Sequence, residues 1–214
     1  MEHAFWRERW REGRIGFHRP DPNPHLVAHA EHLGEGTRVF VPLSGKSVDL
    51  AWLCARGHAV VGAELVEAAV ASFFEESGMT PARTVDGPFV RYECESIEIH
   101  VGDYFELDPS ALGHFDAAFD RASMIALPPA MRARYVEKLR ALLAPKATIL
   151  LVTLETDDDG GPPFSVNERE VREAYAGAEI EKLATVNALD PGGPLHARGV
   201  RRAEEQVYRI RLGG

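Results

Sequence analysis

The sequence has only two cysteines, Cys54 and Cys94, with no C-x-x-C pair and no histidine beside them. That scarcity argues against a disulfide-stapled scaffold and against a cysteine zinc cluster. No apolar run approaches the roughly 20 residues of a membrane span. The N-terminus, "MEHAFWRERWREGRIGFH", is charged and aromatic where a secretory signal would be apolar. A cytoplasmic address is the expectation. Basic residues are in deficit: 24 Lys and Arg against 33 Asp and Glu leave a net charge of -9. That balance speaks for solubility and against a nucleic-acid or anionic-membrane footprint. Internal repeats and low-complexity tracts are missing as well. With 214 residues and 45% hydrophobic content, the chain is long enough for one domain with a buried core.

What is present is alternation. Ala4 to Arg11 can form an amphipathic helix carrying Phe5, Trp6 and Trp10, and "GRIGFHRPDPNP" then breaks regular structure. Asn23 and Pro24 make an N-cap and first-turn pair for a helix reaching about Leu33. From Thr37 onward, strands and helices alternate: Arg38–Leu43, Ser47–Arg56, His58–Leu65, Val66–Ser77. "GPFVRYECESIEIHV" reads as two strands, followed by a strand at Phe115–Asp120, a helix at Pro129–Leu143 and a strand at Ala147–Leu154. Ser165 and Glu168 form an S-x-x-E capping box for a helix to about Tyr175. Two last strands, Ala178–Ala188 and Gln206–Leu212, are joined by the turn-rich "DPGGPLHARG" and are expected to pair as an antiparallel edge hairpin.

Apolar strands alternating with helices imply a mostly parallel sheet with helices on both faces. The expected class is α/β: a Rossmann-like seven-stranded sheet ending in that hairpin. The hairpin separates it from a plain dinucleotide fold and fits the seven-stranded sheet of methyltransferases that use S-adenosylmethionine.

The turn "VPLSGKS" tests the ligand. A phosphate loop needs G-x-x-x-x-G-K-[ST], yet Phe40 stands where its first glycine belongs. A dinucleotide fingerprint needs G-x-G-x-x-G, and Gly45 stands alone. A ligand with a ribose and no phosphate asks less of the turn. Gly45 lets the chain pass closely, and backbone near Leu43 can meet the ligand's amino-acid end. Glu64 closes the second strand about 20 residues further on, where such folds place an acid on ribose hydroxyls. Arg121 follows Asp120 at a strand's carboxyl end, the edge where open α/β sheets bind ligands. It suits the cofactor carboxylate or an anionic nucleophile.

Taken in order, "FWRERWREGRIGFH", "VFVPLSGKSVDLAWL" with "GHAVVGAEL", "FDAAFDRASMIALPP" and "GPPFSV" resemble the thiopurine S-methyltransferase family over nearly the whole length. Bacterial members usually carry "VPLCGKS", so Ser44 replaces a cysteine here. The resemblance implies S-adenosylmethionine contacts at Trp10, Leu43, Glu64 and Arg121, and lays Asp103 and Tyr104 of the "GDYF" turn along the adenine. It also implies one domain, with residues 1–35 as a helical cap over the active site and 36–214 as the Rossmann-like core. Phe17 and His18 fall in the segment the family places over that site. His18 reads as a general base or as a packing residue, and Phe164 after two prolines as a pocket wall or a rigid turn. Family members commonly carry a substrate-side arginine where this chain has Pro194, and Arg198 reads either as its substitute or as a solvent-facing residue.

The chemistry expected is methyl transfer by in-line displacement to a small thiol or thiopurine-like acceptor, with Arg121 and His18 nearest the reacting atoms and no metal. A thiol on an electron-poor ring arrives largely as thiolate, so a dedicated base is optional. Alternatives are a halide or thiocyanate methyltransferase, or a selenium or tellurium methyltransferase, on the same fold. A nicotinamide oxidoreductase is disfavoured by the lone glycine, and a cofactor-binding protein without catalysis stays open. His25, His29 and His32, spaced i, i+4, i+7, read as a solvated helix face, and Asp157–Asp159 as solvated loop acids. The expected partner is a small molecule, with no nucleic acid and no membrane, and the expected state is a monomer.

Overall fold

The computed structural model describes residues 3–213. Helix α1 (His3–Arg11) opens the chain and has no buried residue. Asn23 then caps α2 (Pro24–His29), its Oδ1 accepting from the His25 and Leu26 amides at 2.9 and 3.3 Å. Those are the orphan N–H groups that a first helical turn leaves to be satisfied. A 3-10 turn at Ala30–Leu33 leads into β1 (Arg38–Val41). Next come α3 (Asp49–Ala55), β2 (Ala59–Glu64) and α4 (Glu67–Glu76). Three strands follow, β3 (Ala82–Asp86), β4 (Phe89–Cys94) and β5 (Ile97–Val101). The short α5 (Pro109–Leu112) precedes β6 (Phe115–Arg121), and the short α6 (Ser123–Ala126) precedes α7 (Pro129–Leu142) and β7 (Leu143–Thr156). Then α8 (Glu168–Ala174), β8 (Glu179–Asn187), α9 (Pro194–Ala197) and β9 (Ala203–Arg211) complete the chain.

Among the described residues nine strands form one sheet in the order β3-β4-β5-β2-β1-β6-β7-β9-β8. The run β5-β2-β1-β6-β7 is parallel, and β9 lies antiparallel between β7 and β8. These seven strands are the expected sheet with its antiparallel end. The difference is at the other edge, where β4 and β3 extend the sheet antiparallel past β5. Every residue of β3 is exposed, so "ARTVD" carries no apolar period by which a sequence reading could find it.

Both faces of the parallel strands are covered, as their near-continuous apolar sequences demand. Val39, Val60, Phe119 and Val152 pack with Leu26, Leu50, Leu53 and Phe73 from α2, α3 and α4. Phe40, Val61, Ala118 and Leu151 pack on the opposite face with Tyr135, Leu139 and Val171 from α7 and α8.

Two local readings are corrected. The α8 cap is Asn167, whose Oδ1 accepts from the Glu170 amide at 3.0 Å; the Ser165 hydroxyl instead bonds both backbone groups of Thr156. His25 is buried, its Nε2 2.9 Å from Glu205 Oε2 on β9, so it is not part of a solvated face. The paired rings of His29 and His32 do stack together, 6.2 Å apart.

Candidate active site

β1 lies between β2 and β6, and the chain leaves those neighbours in opposite directions. This is the topological switch point where open α/β sheets bind ligands. A cleft opens there, floored by Pro42, Leu43 and Gly45 after β1 and by Phe119 and Arg121 of β6. Trp10, Phe17 and His18 from the N-terminal segment close it from above.

The turn after β1 is sharply folded. Leu43 (φ 46°) and Gly45 (φ 56°) both occupy the left-handed region. The Ser44 amide ties the turn to β2 through the Ala63 carbonyl at 2.9 Å. A Cβ on Gly45 would stand 3.3 Å from the Trp10 ring, so glycine lets the indole rest directly on the turn. Glu64, at the end of β2, reaches across to it: Oε2 accepts from the Gly45 amide and Oε1 from the Val66 amide, each at 2.8 Å. The side chain is only 7% exposed. Burial raises its pKa above the ordinary range while those amide donors oppose the shift. The carboxylate is thereby held in one orientation beside the cleft.

Arg121 ends β6 and donates from Nη1 to the Phe17 carbonyl at 3.0 Å. Burial disfavours its charge, and Asp49 is the strongest influence restoring it. Ala122 (φ 68°) turns the chain sharply after it, and the Ser123 hydroxyl holds the end of β6 to β1 through the Pro42 carbonyl at 3.1 Å. Above the cleft the Phe17 ring meets Trp6 and Trp10 edge to face, each at 5.8 Å. At the far end of α1, His3 Nε2 lies 3.2 Å from Asp103 Oδ2. Burial, then Lys46, lower the His18 pKa against Glu76 and Asp49. The shift is toward the neutral imidazole.

Six of the expected residues therefore line one cleft: Trp10, Phe17, His18, Leu43, Gly45 and Arg121. Glu64 stands directly behind the turn, and Asp103 after β5 accepts the Phe105 amide at 2.9 Å. One placement differs from expectation, that of Tyr104, while Phe164 and Arg198 each have two readings open. The Tyr104 ring is in the core, tilted against Tyr135 at 5.0 Å, so only its backbone can face a ligand. Phe164 takes the rigid-turn reading: its ring lies against Gly161 and its amide donates to the Ile125 carbonyl at 2.7 Å. Arg198 is tied to Asp158 and to the Pro162 carbonyl, linking two loops away from the cleft. Asp157 likewise accepts the Arg201 and Arg202 amides and is not merely solvated.

Sequence reasoning missed Asp49. It lines the cleft at 3% exposure, with Oδ1 accepting the Asn23 amide at 2.7 Å and Oδ2 the Ser47 hydroxyl at 2.8 Å. An acid in the first turn of "DLAWLCA" reads as complementing the helix dipole. Only the packing of Asn23 over it shows that it is buried.

A sequence model of the family Thiopurine S-methyltransferase (TPMT) matches residues 1–212. The thiopurine S-methyltransferase of Pseudomonas fluorescens (strain SBW25) is 43% identical over 215 residues, covering 98% of this chain and 99% of that protein. That of Pseudomonas paraeruginosa (strain DSM 24068 / PA7) is 43% identical over 218 residues and covers 100% of both. Among solved structures, Burkholderia thailandensis 1,6-didemethyltoxoflavin-N1-methyltransferase, with bound 1,6-didemethyltoxoflavin and S-adenosylhomocysteine, matches with a TM-score of 0.69. That match covers 99% of this chain and 87% of that one at 19% identity, a likeness of fold. Matched from end to end by the family and by relatives of its own length, the chain belongs to the thiopurine S-methyltransferase family.

Proposed function

We propose that this S-adenosylmethionine-dependent methyltransferase acts on a small thiol or a related soft nucleophile. The observation that carries the reading is the one-glycine turn with Glu64 locked behind it and Arg121 beside it, at the switch point. These residues fit an adenosyl amino acid. Glu64 is an oriented acceptor suited to a ribose diol, Arg121 a guanidinium for a carboxylate, and the turn lacks the glycine-amide nest that a pyrophosphate requires.

When bound, the cofactor supplies a methyl group on a sulfonium leaving group, which leaves the protein to provide position and desolvation. Trp10 and Phe17 roof the cleft and exclude water from it. Where the acceptor enters as a thiol, the neutral His18 ring takes its proton as the S–H bond breaks and becomes imidazolium. Pro194 is exposed and Arg198 is committed to Asp158. Arg198 is therefore not free to stand in for the family's substrate-side arginine, which supports reading the acceptor as a small thiol in general.

A methyl-transfer screen with labelled S-adenosylmethionine tests this across aliphatic and aromatic thiols, thiopurines, selenite, tellurite and iodide. The expected result is S-methylated product with aromatic or heteroaromatic thiols above all others. Turnover confined to iodide or to the oxyanions would refute the thiol assignment.

A further inference from the structure

Arg121 and Asp49 are opposite charges lining one cleft, Asp49 buried and Arg121 half-buried. They attract, since Asp49 favours the charged form of Arg121, yet among the described residues no direct ion pair joins them. Each is anchored by neutral partners instead: Arg121 by the Phe17 carbonyl, Asp49 by the Asn23 amide and the Ser47 hydroxyl. Two desolvated charges left unpaired are costly. A zwitterion bound between them would satisfy both.

We infer that Asp49 receives the α-ammonium of the cofactor's amino-acid end, opposite Arg121 on its α-carboxylate. The assignment rests on the cofactor reading above. A carboxylate offers about four lone-pair sites, and Asn23 and Ser47 take one on each oxygen, so acceptor capacity remains on both. Asp49 opens α3, four residues past Gly45, and lines the same cleft as Arg121. The rival acid on this cleft, Asp21, is exposed to solvent, and an exposed charge pair is worth little. Glu205 is engaged by His25 at 2.9 Å and by Arg19 at 3.8 Å.

Asp49 also ties the N-terminal cap to the glycine turn, so the test must separate a structural role from recognition of the amine. Calorimetry provides this with S-adenosylhomocysteine and its deaminated analogue, each titrated into the wild type and Asp49→Asn. The asparagine keeps an acceptor for the Asn23 amide. Removing the ligand's amine should weaken binding to the wild type by about 10- to 100-fold, the range for a charge-assisted hydrogen bond. The same removal should cost Asp49→Asn almost nothing. Equal affinity of the wild type for both ligands overturns the assignment, and this comparison does not depend on the variant. So does an undiminished loss in Asp49→Asn, which would place the amine elsewhere. Failure of the wild type to bind S-adenosylhomocysteine at millimolar concentration would instead remove the cofactor reading itself.

Discussion

Asp120 is fully buried at the end of β6, one residue before Arg121, and faces α7 instead of the cleft. Its Oδ2 accepts from the Tyr135 hydroxyl at 2.7 Å. Burial lifts its pKa from 3.8 to about 6, although Tyr135 and Ser123 pull the other way. An acid raised on folding binds its proton more tightly in the native state. Its contribution therefore favours folding below the unfolded pKa and is lost as pH climbs through about 6. Fully ionised, the carboxylate costs about 3 kcal/mol relative to its solvated form. Asp120→Asn removes the titration and keeps an acceptor for Tyr135. Roughly 1 kcal/mol of the cost is already present at pH 4.5, so the variant's stability relative to wild type should rise by about 2 kcal/mol between pH 4.5 and 7.5. In a chain of this size that is a change of about 4–8 °C in relative Tm. Urea unfolding of both proteins at both pH values measures it, because all other titrations cancel in the difference. A flat difference, or one that falls with pH, would show that Asp120 ionises as readily folded as unfolded.

Other substitutions test the site directly. Glu64→Ala strands the Gly45 and Val66 amides and removes the ribose acceptor; S-adenosylhomocysteine affinity should fall about tenfold or more by calorimetry, and unchanged affinity would remove the assignment. Gly45→Ala forces a side chain into a positive-φ position 3.3 Å from the Trp10 ring, at a cost of about 1–2 kcal/mol. Its unfolding midpoint should drop and its indole fluorescence shift; an unaltered spectrum would mean that Trp10 does not rest on the turn. Arg132 is buried on α7 and donates to the Leu127 and Ser165 carbonyls and to Glu170. Arg132→Met should destabilise by about 2–3 kcal/mol in urea, through the acceptors left behind; a loss below about 0.5 kcal/mol would refute that role.

The parts of the fold legible in sequence are those governed by local rules. β1, β2, β6 and β7 announce themselves as short apolar runs, Asn23 as a cap before Pro24, and Gly45 with Glu64 as a turn and strand-end pair. The missed parts depend on distant partners. β3 is an exposed edge whose only signature is pairing with β4. Ser165 loses the cap to Asn167 because the end of β7 claims its hydroxyl. The i, i+4, i+7 spacing of the histidines presumes one continuous α-helix. Here α2 ends at His29 and a 3-10 turn follows, while Glu205, 180 residues away, holds His25 inside. Asp49, Tyr104 and Arg198 repeat the lesson: their residue types suit a site, but burial and partners decide whether they serve it.

Calorimetric titration of the wild-type protein with S-adenosylhomocysteine, beside NAD as the rival ligand of such folds, tests the central claim most directly. The single-glycine turn, Glu64 and Arg121 predict saturable binding of S-adenosylhomocysteine and none of NAD. Binding of NAD, with neither S-adenosylhomocysteine nor S-adenosylmethionine bound at millimolar concentration, would contradict the account.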